Sequence, residues 1–231
     1  MVGIDSSTIG KIFCESEVVK KILFTDSTRV GQILIEQSAK KLKNLSLELG
    51  GNAPFIVFED ADIDEAVAGA IISKYRNAGQ TCVSANRFFV LEKIYDVFIA
   101  KLSKAVEKLK VGNGMETGVN IGPLINKKAV ETTKYFVADA LEKGGEFILG
   151  GSAIGDCLFE PTIIGNTTKD MRFSNEEIFG PVAPIYKFKT DKEAISMASD
   201  TVYGLASYFY SEGVSRYWKV AEALEYGMVG D

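Results

Sequence analysis

A chain of 231 residues, 46% hydrophobic and 25% charged, can bury a substantial core in one or two domains. Its net charge of −5, with no basic cluster and no run of the ~20 apolar residues a membrane span needs, argues against nucleic acid, an anionic lipid surface and membrane insertion. It has no histidine, which removes cysteine–histidine and serine–histidine catalysis, HExxH metal sites and histidine-ligated zinc together.

In chain order, residues 21–25 (KILFT) read as a strand. Ser27 or Thr28 caps an amphipathic helix with Val30, Ile33, Leu34 and Ala39 on its apolar side. Residues 45–49 and 54–58 read as two more strands, and Asp60 or Asp62 caps a helix running to about Arg76. A polar loop bearing Cys82 follows, then a strand over 87–91 and a helix over 94–109. A glycine-rich connection over 112–126 leads to a helix over 128–143. Residues 147–149, 182–188 and 205–210 are strand candidates, 191–198 and 214–224 are helices, and 227–231 reads as the start of another strand. Little structure is expected before residue 21, and both ends read as cut. Strands alternating with helices predict an α/β fold, an open and mainly parallel sheet flanked by helices.

The cysteines, Cys14, Cys82 and Cys157, are odd in number and far apart. They are too few for an all-cysteine zinc site and unlike a disulfide framework. The first residues lack a secretory pattern, so a reducing cytoplasm is the expected setting.

Four stretches hold residues able to do chemistry. In NAGQTCVSANR, Cys82 lies among a glycine, an amide, a hydroxyl and an arginine. Backbone N–H groups of such a loop could favour a thiolate and hold an oxyanion; the alternative is a packed, inert cysteine. In LSLELGGNAPFIVF, Glu48 alternates with leucines and precedes two glycines that allow close approach. It is either a general base or a solvated strand-face charge. FTDSTRVG is a strand–turn–helix start able to meet a phosphate, or a plain capped helix. SNEEIFGPV places Glu177 and Phe179 before a Gly-Pro turn, which otherwise reads as a helix end with a loop.

Taken together and in this order, these stretches resemble the second half of an NAD(P)-dependent aldehyde dehydrogenase. LELGGNAP is similar to that family's glutamate motif and NAGQTCVSANR to its cysteine motif, with Glu48 and Cys82 at the family's separation. FTDSTRVG is similar to its phosphate turn and EEIFGPV to its nicotinamide-ribose segment. Arg76, six residues before the cysteine in KYRNAGQTC, resembles the succinate-semialdehyde branch, as do EALEYGMVG and LASYFYS. Its alternative is a helix-end cation.

The resemblance implies a Rossmann-like three-layer fold. Residues 1–50 would be a remnant of the dinucleotide-binding domain and 51–231 a C-terminally truncated catalytic domain. It implies Cys82 as nucleophile, Glu48 as the base for thioester hydrolysis, and half an oxyanion hole from the Cys82 N–H. Thr25, Ser27, Leu49, Glu177 and Phe179 would bind NAD or NADP, and Arg76 the carboxylate of succinate semialdehyde. No metal is implied. Family members are homo-oligomers; for this shorter chain the oligomeric state stays open. Asp26 stands where the family has glycine, placing a carboxylate beside the phosphates and removing a residue free to take positive φ. Ser84 replaces a second cysteine that serves some relatives as a redox switch. The resemblance also implies that the other oxyanion donor, the adenosine-ribose residues and a second substrate arginine lie outside this chain. Two alternatives to a dehydrogenase follow, a weak cysteine esterase and a non-catalytic interaction module.

Overall fold

The computed structural model describes residues 5–230. The chain divides into two compact units, Met1–Gly50 and Gly51–Asp231.

The first unit begins with a helix where no regular structure was expected. Asp5 starts α1 (Ser6–Glu15) by accepting the Ser7 and Thr8 amides at 3.0 and 3.2 Å, which satisfies two otherwise orphaned donors. Then β1 (Lys21–Thr25), α2 (Thr28–Ser38) and β2 (Asn44–Glu48) form a strand–helix–strand unit with parallel strands. Their register pairs Thr25 with Glu48. Ser27 occupies the N-cap position of α2, but its side chain makes no capping bond, contrary to the sequence expectation. The Ser38 hydroxyl lies 3.3 Å from Cys14 Sγ, joining α2 to α1.

The second unit runs β3 (Ala53–Val57), α3 (Ile63–Tyr75), β4 (Ala85–Leu91), α4 (Tyr95–Val106), α5 (Lys127–Glu142), β5 (Glu146–Leu149), β6 (Ala153–Ile154), β7 (Leu158–Phe159), β8 (Thr162–Gly165), β9 (Val182–Phe188), α6 (Asp191–Ser199), β10 (Ala206–Tyr210), α7 (Val214–Ala223) and β11 (Met228–Gly230). Seven strands form one sheet in the order β11-β10-β3-β4-β9-β8-β5. Every neighbouring pair is parallel except β5 with β8. The mainly parallel α/β sheet flanked by helices is therefore present.

Helices on such a sheet bury both faces of its central strands, so those strands are continuously apolar rather than alternating. Every residue of β3 and β4 is buried, and Phe55 meets Phe88 with ring centroids 5.0 Å apart. Asp62, not Asp60, caps α3. Asp60 instead accepts from the Ser211 hydroxyl and the Gly213 amide, each at 2.9 Å, and pairs with Arg216, tying β3 to the start of α7.

Candidate functional site

In the second unit the sequence motifs meet at the amino ends of the central strands. Ligands of open parallel sheets usually sit at the carboxyl ends, so this placement is specific to the loops involved. Helix α3 stops at Tyr75, and Asn77, Ala78 and Gly79 take φ of 56°, 55° and 74° in succession. Three consecutive left-handed residues reverse the chain abruptly, at a cost that only dense surroundings maintain. Two glycines supply the room. A Cβ on Gly79 would lie 2.2 Å from the Gly180 carbonyl oxygen, and one on Gly51 would lie 2.1 Å from that of Cys82. The backbone before β3, the cysteine loop and the backbone before β9 therefore touch main chain to main chain.

Cys82 is half-buried at the head of a turn closed by the Ser84 amide on the Thr81 carbonyl at 3.0 Å, which leaves its own N–H outside that bond. Gln80 fastens the loop from one side, accepting the Ile125 amide at 2.8 Å. From the other side the Tyr208 hydroxyl donates to the Val83 carbonyl at 2.8 Å. Cys14 is fully buried, and Cys157 is half-buried in the turn between β6 and β7.

The arginine of NAGQTCVSANR, near the thiol along the chain, is committed elsewhere. Arg87 is buried and donates to the carbonyls of Asn52, Met197 and Ala198 at 2.8–3.1 Å. Asn86 donates to Asn52 Oδ1 at 2.6 Å and to the Glu176 carbonyl at 3.2 Å, and accepts the Ile178 amide at 3.2 Å. Asn52 in turn donates to the Ser174 carbonyl at 2.9 Å. This buried network holds residues 174–178 against the strand starts, so that Glu177 and Phe179 are placed by backbone bonds to side chains the motif reading did not single out. Buried polar groups after a functional loop were the available signal.

Glu177 is partly buried and accepts the Gly51 amide at 3.2 Å. Phe179 has φ of 51°, uncommon for a bulky residue, and is 43% exposed. It lines a groove of about 450 Å³ with Asn77, Gln80, Gly122, Pro123 and Ile125. A second groove, about 310 Å³, lies between α3 and the strands, lined by Ser73, Arg76, Val83, Tyr208 and Tyr210 among others. Arg76 is exposed there and has no carboxylate partner among the described residues. A cavity of about 630 Å³ includes Arg87 and Asp200 but none of Cys82, Arg76, Glu177 or Phe179.

In the first unit, Thr25 and Glu48 end paired strands, and the Asp26 amide donates to the Glu48 carbonyl at 3.1 Å. A Cβ on Gly31 would lie 2.7 Å from Leu49 Cδ2, so Leu49 packs on the first turns of α2. Thr25, Ser27, Glu48 and Leu49 thus gather at the carboxyl ends of two parallel strands. Asp26 occupies the turn in a particular way. Its carboxylate accepts the Ser27 amide, using a donor that a phosphate at this helix start would want. Its φ is not positive, so the glycine expected there is not required by backbone conformation. Taken unit by unit, Glu177 in the second offers a carboxylate suited to a ribose diol, and Asp26 in the first opposes a phosphate at its turn.

The fold and loops define an α/β protein with Cys82 in a turn that follows a left-handed run over Asn77, Ala78 and Gly79, at the amino ends of a parallel sheet. The chain belongs to the aldehyde dehydrogenase family, whose pattern matches residues 1–230. It is 54% identical to a glutarate-semialdehyde dehydrogenase of Pseudomonas putida over 96% of this chain and 46% of that protein. It is 51% identical to the NADP(+) succinate-semialdehyde dehydrogenase of Escherichia coli, over 97% and 47%. The crystal structure of succinate-semialdehyde dehydrogenase from Burkholderia pseudomallei superposes with a TM-score of 0.98 at 53% identity, covering all of this chain and 48% of that one. The chain spans about half the length of the curated relatives it matches.

Proposed function

We propose that this chain carries the cysteine-bearing part of an NAD(P)-dependent aldehyde dehydrogenase whose substrate is an aldehyde with a distal carboxylate, succinate semialdehyde or its longer glutarate homologue. The observation that carries this reading is Arg76, an exposed guanidinium without a carboxylate partner among the described residues, in a groove whose wall includes Val83, the neighbour of Cys82. A guanidinium binds a carboxylate through two parallel hydrogen bonds, a contact a plain aldehyde cannot make.

Cys82, as the thiolate, attacks the aldehyde carbon and forms a C–S bond, giving a thiohemiacetal. Its N–H donates to the oxygen as negative charge develops there. The nicotinamide, when bound, supplies the acceptor for the hydride whose loss leaves a thioester. Glu48, assigned on its motif, takes a proton from the water that attacks the thioester carbon; the C–S bond breaks, and carboxylate and thiol separate. Glu177 binds the ribose hydroxyls and Phe179 packs beside the ring. Thr25, Ser27 and Leu49 line the rest of the cofactor groove, for either NAD or NADP.

Protection of Cys82 from iodoacetamide, read by peptide mapping, tests the assignment on the 231-residue chain. Cys82 is expected to label ahead of Cys14 and Cys157. Succinate semialdehyde is expected to protect it at roughly tenfold or more lower concentration than butanal, with Arg76→Ala erasing the difference. Equal protection by the two aldehydes in the unaltered chain would overturn the carboxylate reading.

A further inference from the structure

The two-residue period of a strand puts Tyr208 and Tyr210 of β10 on one face, where both line the groove that holds Arg76. Their rings flank Phe55 of β3, with centroids 6.3 and 5.1 Å from it, and a Cβ on Gly230 of β11 would lie 3.2 Å from Tyr208 Cδ1. A ring packed between neighbouring strands carries its hydroxyl to one place. That hydroxyl donates to the Val83 carbonyl at 2.8 Å. The same peptide unit supplies the Ser84 amide that closes the turn on the Thr81 carbonyl at 3.0 Å. Both polar ends of the unit are thus fastened, one within the turn and one from β10. The Cys82 carbonyl packs on Gly51, where a Cβ would lie 2.1 Å from its oxygen. The chain leaves the groove at Arg76 and returns to it at Val83, after the three left-handed residues and directly after Cys82. Burial pushes the Tyr208 phenol up from its ordinary value, so its proton stays on at neutral pH. A phenol has one proton, and this one goes to Val83, so the carboxylate of a substrate is left to Arg76.

We propose that Tyr208 is a positioning residue for the reaction: by fastening the Val83 carbonyl it fixes the span between the Cys82 turn and Arg76, and so selects the length of the carboxylated aldehyde. The proposal rests on the reading of Arg76 as the carboxylate-binding group and Cys82 as the nucleophile. An aldehyde held by its carboxylate must place its carbonyl carbon at the thiol, so its length has to match that span. Reacting atoms need to come within about 3–3.5 Å, and small misplacements are costly. Without the hydroxyl, the turn keeps its own Ser84 bond and its contact with Gly51 but loses the tie to β10. The thiol can then shift to suit more than one length.

The test is Tyr208→Phe in the intact chain, which keeps the ring and removes the donor. Amide exchange followed by NMR should show the Ser84 amide exchanging about threefold or more faster, with the amides of β3, β4 and β9 unchanged. In the unaltered chain, succinate semialdehyde and glutarate semialdehyde should protect Cys82 from iodoacetamide at concentrations roughly tenfold apart, because one methylene in a fixed span is discriminated to that degree. In Tyr208→Phe the two should fall within about twofold of each other. Unchanged Ser84 exchange would overturn the positioning. A length preference that survives in Tyr208→Phe, or is missing from the unaltered chain, would overturn the selection of length. Faster exchange throughout β3, β4 and β9 would mean a general loosening and would also count against the proposal. If Ser84 alone exchanges faster while succinate semialdehyde and butanal protect equally, the tie to β10 stands. The carboxylate reading of Arg76 then fails, and with it the length selection that depends on it.

Discussion

Lys74 and Arg76 stand two residues apart on one helix end and have opposite fates, one sealed in the interior and one open to a groove. Burial decides how Lys74 responds to pH. In the unfolded chain Lys74 has the ordinary value of 10.5; in the fold, burial pushes it down to about 7. Between those values the unfolded chain binds more protons, so stability rises with pH by up to ~1.4 kcal/mol per unit. Below about 7 both states are protonated, and the penalty of burial is felt in full. Lys74→Met should therefore raise the urea midpoint most at about pH 6 and flatten its climb toward about pH 9; a variant with the slope of the original chain would refute this. The sequence singles out Cys82 because a polar, glycine-bearing loop is an odd home for a scarce thiol, and Arg76 because of its spacing from it. Arg87 was misread because nearness along the chain says little where β4 begins. Successive side chains point to opposite faces there, and the guanidinium is drawn to the carbonyls of Asn52, Met197 and Ala198. Lys74 was passed over because a lysine near a helix end ordinarily faces water.

At the scale of elements, the long apolar runs announced themselves. The strand expected over 182–188 is β9, and the helix expected over 191–198 is α6 with one more residue. What the sequence hid was short or locally stabilised. β8 has four residues and follows directly on Pro161, and its strand character comes from pairing between β5 and β9 rather than from any alternation of its own. α1 buries only Cys14 and depends on the Asp5 cap. The glycines of the motifs were visible, but their reasons lie in packing between segments distant along the chain. That gives a graded expectation. Gly51→Ala and Gly79→Ala would drive a methyl into the carbonyls of Cys82 and Gly180, and Gly79 also has φ of 74°. Each should cost about 2–4 kcal/mol and slow alkylation of Cys82. Gly122→Ala, with nothing within 4 Å of the added carbon, should stay within about 0.5–1 kcal/mol. Urea denaturation with Cys82 labelling rates separates the two classes; a neutral Gly51→Ala would mean that the contact of the cysteine loop with the backbone before β3 is not fixed.

At the scale of the whole molecule, the two units differ in how firmly they can hold what they carry. The second has a seven-stranded sheet with fully buried central strands. The first has two strands, and its buried apolar residues among those described are Cys14 and Leu34, while Leu23 and Leu42 are 74% and 92% exposed. A two-stranded sheet with so little core is marginal. Yet Thr25, Ser27, Glu48 and Leu49 all belong to it, so three of the five proposed cofactor contacts and the proposed base sit on the weaker unit. Asp26 further weakens a phosphate contact by taking the Ser27 amide. Hydride transfer demands reacting atoms held about 3–3.5 Å apart, and small misplacements are costly. The 231-residue polypeptide is therefore expected to show no steady NAD(P)-dependent oxidation of succinate semialdehyde. Backbone amides of β1 and β2 are expected to exchange with deuterium well before those of β3, β4 and β9. Asp26→Gly should tighten whatever NADP binding calorimetry detects, by removing the carboxylate from the phosphate turn. Micromolar NAD or NADP binding with sustained turnover, in protein free of the host's own dehydrogenases, would overturn this expectation and show that the first unit holds its half of the contacts far more firmly than its core implies.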